Sequence, residues 1–245
     1  MNQDLPSAKI LGVSITTSKK QDVIDFIIRG LHAKSKKFYI VTPNPEIIVM
    51  STRSSSYRRV LNEASVSLPD GIGVLMAGSI LKKEINERIA GTDLMYDLCR
   101  NCAKEGLSIG LLGGSRGVAE KTSECLREKY PDLVVKFASD EWPSPNSQLP
   151  APNFHVDILF VAFGAPKQEE WIAKNLKDIP VTACMGVGGA FDYISGKVPR
   201  APKAFRRLGM EWAYRLMRQP WRAKRQLALP VFAVKVLKEK LLGKS

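Results

Sequence analysis

Only two histidines, His32 and His155, occur in the 245 residues, and they share no metal-ligand spacing. A histidine-based metal centre is not expected. Cysteine is nearly as scarce: four in a chain of this length make no disulfide framework. Cys99-Arg100-Asn101-Cys102 spells C-x-x-C, but it falls inside a helical pattern, where packing outweighs redox or zinc work. No apolar run approaches the ~18–20 residues that would span a bilayer. The opening Met1-Asn2-Gln3-Asp4-Leu5-Pro6 lacks a basic stretch followed by an apolar one, so no secretory signal is expected and the cytoplasm is the default. Asp-x-Asp is missing throughout, which removes the usual carboxylate clamp for a metal-bound diphosphate. The dinucleotide fingerprint G-x-G-x-x-G is also absent.

Acidic residues are short in one place above all. Residues 197–245 hold 14 Lys+Arg against 2 Asp+Glu, whereas the first 196 residues hold 23 against 22. A near-neutral body, residues 1–196, thus carries a strongly basic appendage, residues 197–245. That asymmetry points to an anionic partner: a membrane leaflet, a phosphate-rich ligand or a nucleic acid.

Within the body, apolar runs predict strands at 37–42, 107–112, 156–163 and 180–187, with weaker ones at 9–16, 64–68 and 133–138. Helical periodicity predicts helices at about 20–33, 45–63, 72–81, 92–105, 115–129 and 167–177. This alternation implies an α/β layered fold with a largely parallel sheet, in which ligands bind beyond the carboxyl ends of the strands. Pro143, Pro145, Pro150 and Pro152 mark 139–155 as a surface loop. In the appendage, Phe205, Leu208, Trp212 and Leu216 follow helical spacing over about 203–218. A second helix begins at Trp221 and is kinked by Pro230. Beyond it Val231, Val234, Leu237 and Leu241 form an apolar stripe among Lys235, Lys238, Lys240 and Lys244. A basic amphipathic helix of this kind lies flat in a headgroup layer, although packing on the body with a solvated basic face remains the alternative.

Four segments place chemistry at predicted strand ends. Thr42-Pro43-Asn44 offers a hydroxyl and an amide to a sugar or base; Asn44 serves equally well as a helix cap. Asp70 sits in Leu68-Pro69-Asp70-Gly71, where a fixed turn suits a general base and also suits an ordinary capping Asp. Gly113 belongs to a glycine-rich connection, Gly110 to Gly117, whose backbone N–H groups favour phosphate weakly. Gly164-Ala165-Pro166-Lys167-Gln168-Glu169 and Gly186-Val187-Gly188-Gly189-Ala190-Phe191-Asp192 leave two further strands with glycine access and polar groups.

Taken with Glu87-Arg88-Ile89-Ala90-Gly91-Thr92-Asp93, Arg200-Ala201-Pro202 and Leu208-Gly209-Met210-Glu211-Trp212, these segments resemble the WecG/TagA/CpsF family of glycosyltransferases (glycosyltransferase family 26) from about residue 9 to about 235. The resemblance implies a Rossmann-like α/β body and an appendage that helps complete the active site at the membrane. It implies inverting, metal-independent transfer, with no cofactor, from a UDP-sugar to an undecaprenyl-diphosphate-linked sugar. The donor sugar would be N-acetylmannosamine or a related hexose, for polysaccharide or teichoic acid synthesis. Asp70 matches the base; Thr42, Asn44, Arg88 and Gln168 match pocket residues; Arg215, Arg222 and Arg225 match diphosphate contacts. Gly113, Gly188 and Gly189 join the pocket as backbone donors at strand ends. The expected place of work is the inner face of the cell membrane, as a peripheral protein, with a homo-oligomer left open. A nucleic-acid or membrane-binding module without catalysis, and a nucleotide-cofactor enzyme, are the other readings. No groove-reading motif supports a nucleic-acid partner.

Overall fold

The computed structural model describes residues 5–85, 87–142, 154–207, 209–218, 220 and 223–243. Its strands are β1 (Ser7–Ile10), β2 (Val13–Thr16), β3 (Phe38–Val41), β4 (Val66–Ser67), β5 (Ser108–Gly113), β6 (Val134–Ser139), β7 (Val156–Ala162) and β8 (Val181–Gly186). Its helices are α1 (Lys20–Ala33), α2 (Pro45–Ser51), α3 (Ser55–Asn62), α4 (Ile72–Ile80), α5 (Gly91–Glu105), α6 (Val118–Lys129), α7 (Lys167–Asn175), α8 (Ala190–Ile194), α9 (Lys203–Arg207), α10 (Glu211–Arg218), α11 (Ala223–Gln226) and α12 (Ala228–Leu241).

The main sheet has six strands in the order β4-β3-β8-β7-β5-β6, and β1 and β2 form a separate hairpin. The pairs β3/β8, β8/β7, β7/β5 and β5/β6 are all parallel. Every residue of β5, β7 and β8 is buried, which is why each reads as an unbroken apolar run rather than an alternation. The α/β layered architecture expected from the alternation is present.

The chain forms two compact units: one of Met1–Lys20, Thr42–Ala90 and Pro199–Ser245, the other of Gln21–Val41 and Gly91–Val198. The second holds β3, β8, β7, β5 and β6 with their crossover helices. At the amino ends of its strands, the buried Asp157 accepts from the backbone N–H of Ser108 at 2.8 Å and from its hydroxyl at 2.7 Å. The other Asp157 oxygen lies 2.8 Å from Lys34 Nζ, just past the end of α1. His155 Nε2 shares a hydrogen bond with Thr182 Oγ1 at 2.9 Å, stitching β8 to the chain entering β7. Burial raises the Cys102 thiol to about 12, helped by the charge of Asp157, and burial together with Cys102 raises Cys99 as well. Both thiols are therefore protonated at neutral pH and packed inside α5.

In the first unit, the weak strand expected at 9–16 is a hairpin: Leu11 and Gly12 both take positive φ, and Ile10 faces Val13 across the turn. The helix expected over 45–63 is two, because Ser54 restarts it by accepting the Tyr57 N–H on its hydroxyl. The helix expected over 203–218 is likewise interrupted, with Gly209 at φ +70° between α9 and α10. The second helical run is interrupted at Leu227, between α11 and α12, one turn before Pro230. Pro230 lies in the first turn of α12 and offers no N–H to the carbonyl of Gln226, the last residue of α11.

From Pro199 onward the chain belongs to this first unit, and α12 packs on α2 and α4. Phe232 and Val236 are the buried residues of α12, whereas Val234, Leu237 and Leu241 of the expected stripe are exposed. Among the described residues no helix is long and apolar enough to cross a membrane.

Candidate active site

Three segments of the first unit are fastened together around Asp70. The Asp70 N–H donates to the Leu68 carbonyl at 2.9 Å and, more weakly, to the Pro43 carbonyl at 3.3 Å. The Ile89 N–H donates to the Pro69 carbonyl at 3.1 Å. Thr42, Asn44, Asp70 and Arg88 therefore sit on neighbouring stretches of backbone. Gly71 follows Asp70 at φ +95° and starts α4, a conformation that a side chain would strain. Asp70 is half-buried at the opening of that helix, so its carboxylate is held without being sealed from solvent.

Asn44 does what a capping residue does: its Oδ1 accepts from the Ile47 N–H at 3.0 Å. The cap uses the oxygen and leaves the amide nitrogen to other work. Thr42 is buried beside it. Arg88 donates from Nη2 to the Arg206 carbonyl at 2.9 Å, and its Nη1 lies 3.8 Å from Glu211 Oε2.

The second unit brings a different set together at its carboxyl strand ends. Gln168 is buried at the start of α7, and its Oε1 accepts from Gly188 N–H at 3.0 Å and Gly164 N–H at 3.2 Å. Its Nε2 donates to the buried Glu169 carboxylate at 2.7 Å. Gln168 thus clamps the two glycine turns that leave β7 and β8. Gly113 and Gly188 differ in what surrounds them. A Cβ on Gly113 would meet Phe163 at 2.8 Å and the Ala162 backbone at 3.0 Å, whereas one on Gly188 would meet nothing within 4 Å. Gly113 serves close packing; Gly188 opens onto free space. Gly189 caps α8.

Gly186 shows how tight the clamp is. A Cβ there would lie 2.9 Å from Gln168 Nε2 and 3.2 Å from Cδ. Three hydrogen bonds hold that amide, so it has no easy way to give. Gly186→Ala is expected to destabilise the protein by about 1–3 kcal/mol through overpacking. Differential scanning fluorimetry should show a melting temperature several degrees lower, and an unchanged one would mean that the clamp is loose.

Of the appendage arginines, Arg225 on α11 pairs through Nε with Glu46 Oε1 of α2. Arg215 lies on α10. Arg222 falls outside the described residues.

The Glycosyl transferase WecG/TagA/CpsF family model matches residues 8–245. The chain belongs to this family. It is 33% identical over 234 residues to the N-acetylglucosaminyldiphosphoundecaprenol N-acetyl-beta-D-mannosaminyltransferase of Bacillus subtilis (strain 168), covering 94% of this chain and 91% of that protein. The protein of the same name from Bacillus spizizenii is 35% identical over 208 residues, covering 84% and 80%. The one from Staphylococcus aureus (strain MW2) is 33% identical over 240 residues, covering 94% and 92%.

For this glycosyltransferase, two features, one in each unit, were not among the residues singled out from the sequence. One is Glu169, the buried carboxylate that receives the clamp amide. The other is the pair Arg200 and Glu211, with Arg200 Nε 3.4 Å from Glu211 Oε1. Both residues sit in segments that carried the family resemblance, which was the available signal. Their partners, however, are set by the fold.

Proposed function

We propose that this enzyme transfers N-acetylmannosamine, or a related hexose, from a UDP-sugar to N-acetylglucosaminyl-diphospho-undecaprenol, with inversion at the anomeric carbon. The observation that carries this reading is the placement of Asp70: a half-buried carboxylate on a backbone pinned from three segments, at the start of a helix. An inverting displacement needs a base to take the proton from the acceptor hydroxyl while the leaving diphosphate is stabilised by positive charge. Asp70 supplies the base. Thr42, Asn44 and Arg88 flank it, and Arg215, Arg222 and Arg225 meet diphosphate. In the second unit, the glycine turns held by Gln168 leave open space at Gly188, beside Gly189, where a donor nucleotide can approach the backbone.

The acceptor is lipid-linked, so the enzyme works against a membrane surface. Support comes from α12, where Val234, Leu237 and Leu241 are 65%, 50% and 86% exposed beside Lys235, Lys238 and Lys240. An apolar face rimmed by cations suits an anionic headgroup layer. Leu237→Glu/Leu241→Glu removes no buried side chain, so it should melt like the wild type. It should lose most of its co-sedimentation with phosphatidylglycerol vesicles. Undiminished sedimentation would move the membrane contact elsewhere.

The reaction is tested by measuring UDP release across a panel of UDP-sugars, with and without the lipid-diphosphate acceptor and with EDTA present. Acceptor-dependent release with one donor is the expected result and identifies the sugar. Release that ignores the acceptor, or none with any donor, would overturn the assignment.

A further inference from the structure

Helix α4, Ile72–Ile80, carries no charged side chain on any face. Its inward side is covered: Val74, Ala77 and Gly78 are buried, a Cβ on Gly78 would meet Ile85 at 3.1 Å, and α12 packs on the helix. Its outward side is Ile72, Met76 and Ser79, at the i, i+4, i+7 spacing of one helical face. Ile72 and Met76 are 38% and 58% exposed. Ser79 adds little for water, because its hydroxyl donates to the Leu75 carbonyl at 3.2 Å. A helix that is apolar all round is ordinarily buried all round, and α4 is not. More apolar surface adjoins it. Gly209 lies so close to Ile72 that a Cβ there would fall 2.8 Å from Ile72 Cβ, and the next residue, Met210, is exposed. Asp70 stands two residues before the first residue of this helix.

We infer that the outward face of α4, with Met210 beside it, receives the start of the isoprenoid chain of the lipid-linked acceptor. This rests on the proposed transfer reaction, with Asp70 as its base. The acceptor hydroxyl meets Asp70, so the diphosphate and then the chain lead away from it. α4 starts there and rises about 1.5 Å per residue, which puts Met76 about 6 Å beyond Ile72 along the helix axis. Charge separates this face from that of α12. The exposed apolar residues of α12 stand among Lys235, Lys238 and Lys240, which suit anionic headgroups. α4 offers no cation to a headgroup and suits an uncharged chain, whose burial against Ile72 and Met76 removes apolar surface of both from water. The unbranched thioethers of Met76 and Met210 adapt to a flexible occupant better than branched side chains would.

The test uses N-acetylglucosaminyl diphosphate esters of methanol, geraniol and farnesol, free of detergent and vesicles. The full chain is compared with its Met76→Gln and Met76→Leu variants. Binding is read by calorimetry without donor, and KM and kcat are read with the UDP-sugar that supports turnover. For the wild type, Kd and acceptor KM should fall by about tenfold or more from methyl to farnesyl, the effect of burying a few methylenes. Met76→Gln should remove most of that gain while leaving the UDP-sugar KM unchanged, and the apolar Met76→Leu should keep most of it. Met76 is exposed, so both variants should melt like the wild type. A gain absent from the wild type, or kept in full by Met76→Gln, would overturn the inference. A gain that appears only when vesicles are added would give the face to the bilayer and overturn it as well. So would a dimer that Met76→Gln turns into a monomer in sedimentation velocity, which gives the face to a second copy. Calorimetry needs no turnover, so failure of the chain contact and failure of the proposed reaction are read apart.

Discussion

Asp70→Asn is expected to lower acceptor-dependent UDP release by about 10²–10⁴-fold, the usual contribution of a positioned general base. The amide keeps the size and much of the hydrogen bonding of the carboxylate but cannot take a proton from the acceptor hydroxyl. The Asp70 backbone is fixed by Leu68, Pro43 and the neighbouring Pro69–Ile89 contact, and none of these bonds uses the side chain. The fold should therefore survive. Loss of the favourable charge at the start of α4 should cost on the order of 0.3–1 kcal/mol of stability. UDP affinity should change little, because the base acts on the acceptor. A variant that retained full turnover would remove Asp70 from the chemistry. One that lost UDP binding in parallel would make it a donor contact instead.

Asp157→Ala should have the largest effect on stability, and none of it through the site. That carboxylate is buried and accepts two hydrogen bonds from Ser108 while meeting Lys34. Removing it leaves the Ser108 N–H without its acceptor and strands the Lys34 charge. Lys34 is itself 51% exposed, so water recovers part of that loss. About 2–3 kcal/mol is expected, seen as a lower midpoint in urea denaturation.

The effect should depend on pH. Burial alone would raise the Asp157 carboxyl, but the hydrogen bonds from Lys34 and Ser108 outweigh it and hold the group below its ordinary value. Its contribution is then complete above the ordinary carboxylate value of about 4 and is lost as pH falls through the depressed one. His155 is lowered by burial and by the Lys34 charge, so the folded state favours the neutral ring. Protonating it costs stability as pH drops below about 6.5. Wild-type stability should thus decline in two acid steps, and the gap to Asp157→Ala should close only in the lower one. A gap that persisted down to pH 2 would show that the charge of Asp157 is not what stabilises.

How much of this was legible in the sequence depends on the range of the interaction. β5, β7 and β8 were plain because parallel strands buried on both faces are apolar throughout. The hairpin at 7–16 was not, because its turn is Leu11-Gly12 rather than a pair such as Asn-Gly, and its two short strands merge into one weak run. The split between α2 and α3 turns on one hydroxyl of Ser54, which periodicity alone does not weigh. At the site, Asn44 and Asp70 could be picked out from local turn and cap chemistry, which by itself suits an ordinary structural role equally well for Asn44 and better for Asp70. Gln168 could be marked as polar at a strand end, yet its grip on Gly164 and Gly188 depends on two strands ending side by side. The Arg88–Glu211–Arg200 cluster joins residues more than a hundred positions apart, and no spacing rule reaches that far. The family resemblance, in contrast, was carried by short ordered segments and is matched by the family model across residues 8–245.

The most direct test of the central claim is the product itself. Purified enzyme would be incubated with the donor that supports UDP release and with N-acetylglucosaminyl-diphospho-undecaprenol. UDP would then be counted against the lipid-linked disaccharide formed, and the new linkage read by NMR. One UDP per disaccharide, with a β linkage from an α-linked donor, is the predicted result. An α linkage, or UDP formed without any disaccharide, would contradict inverting transfer by Asp70.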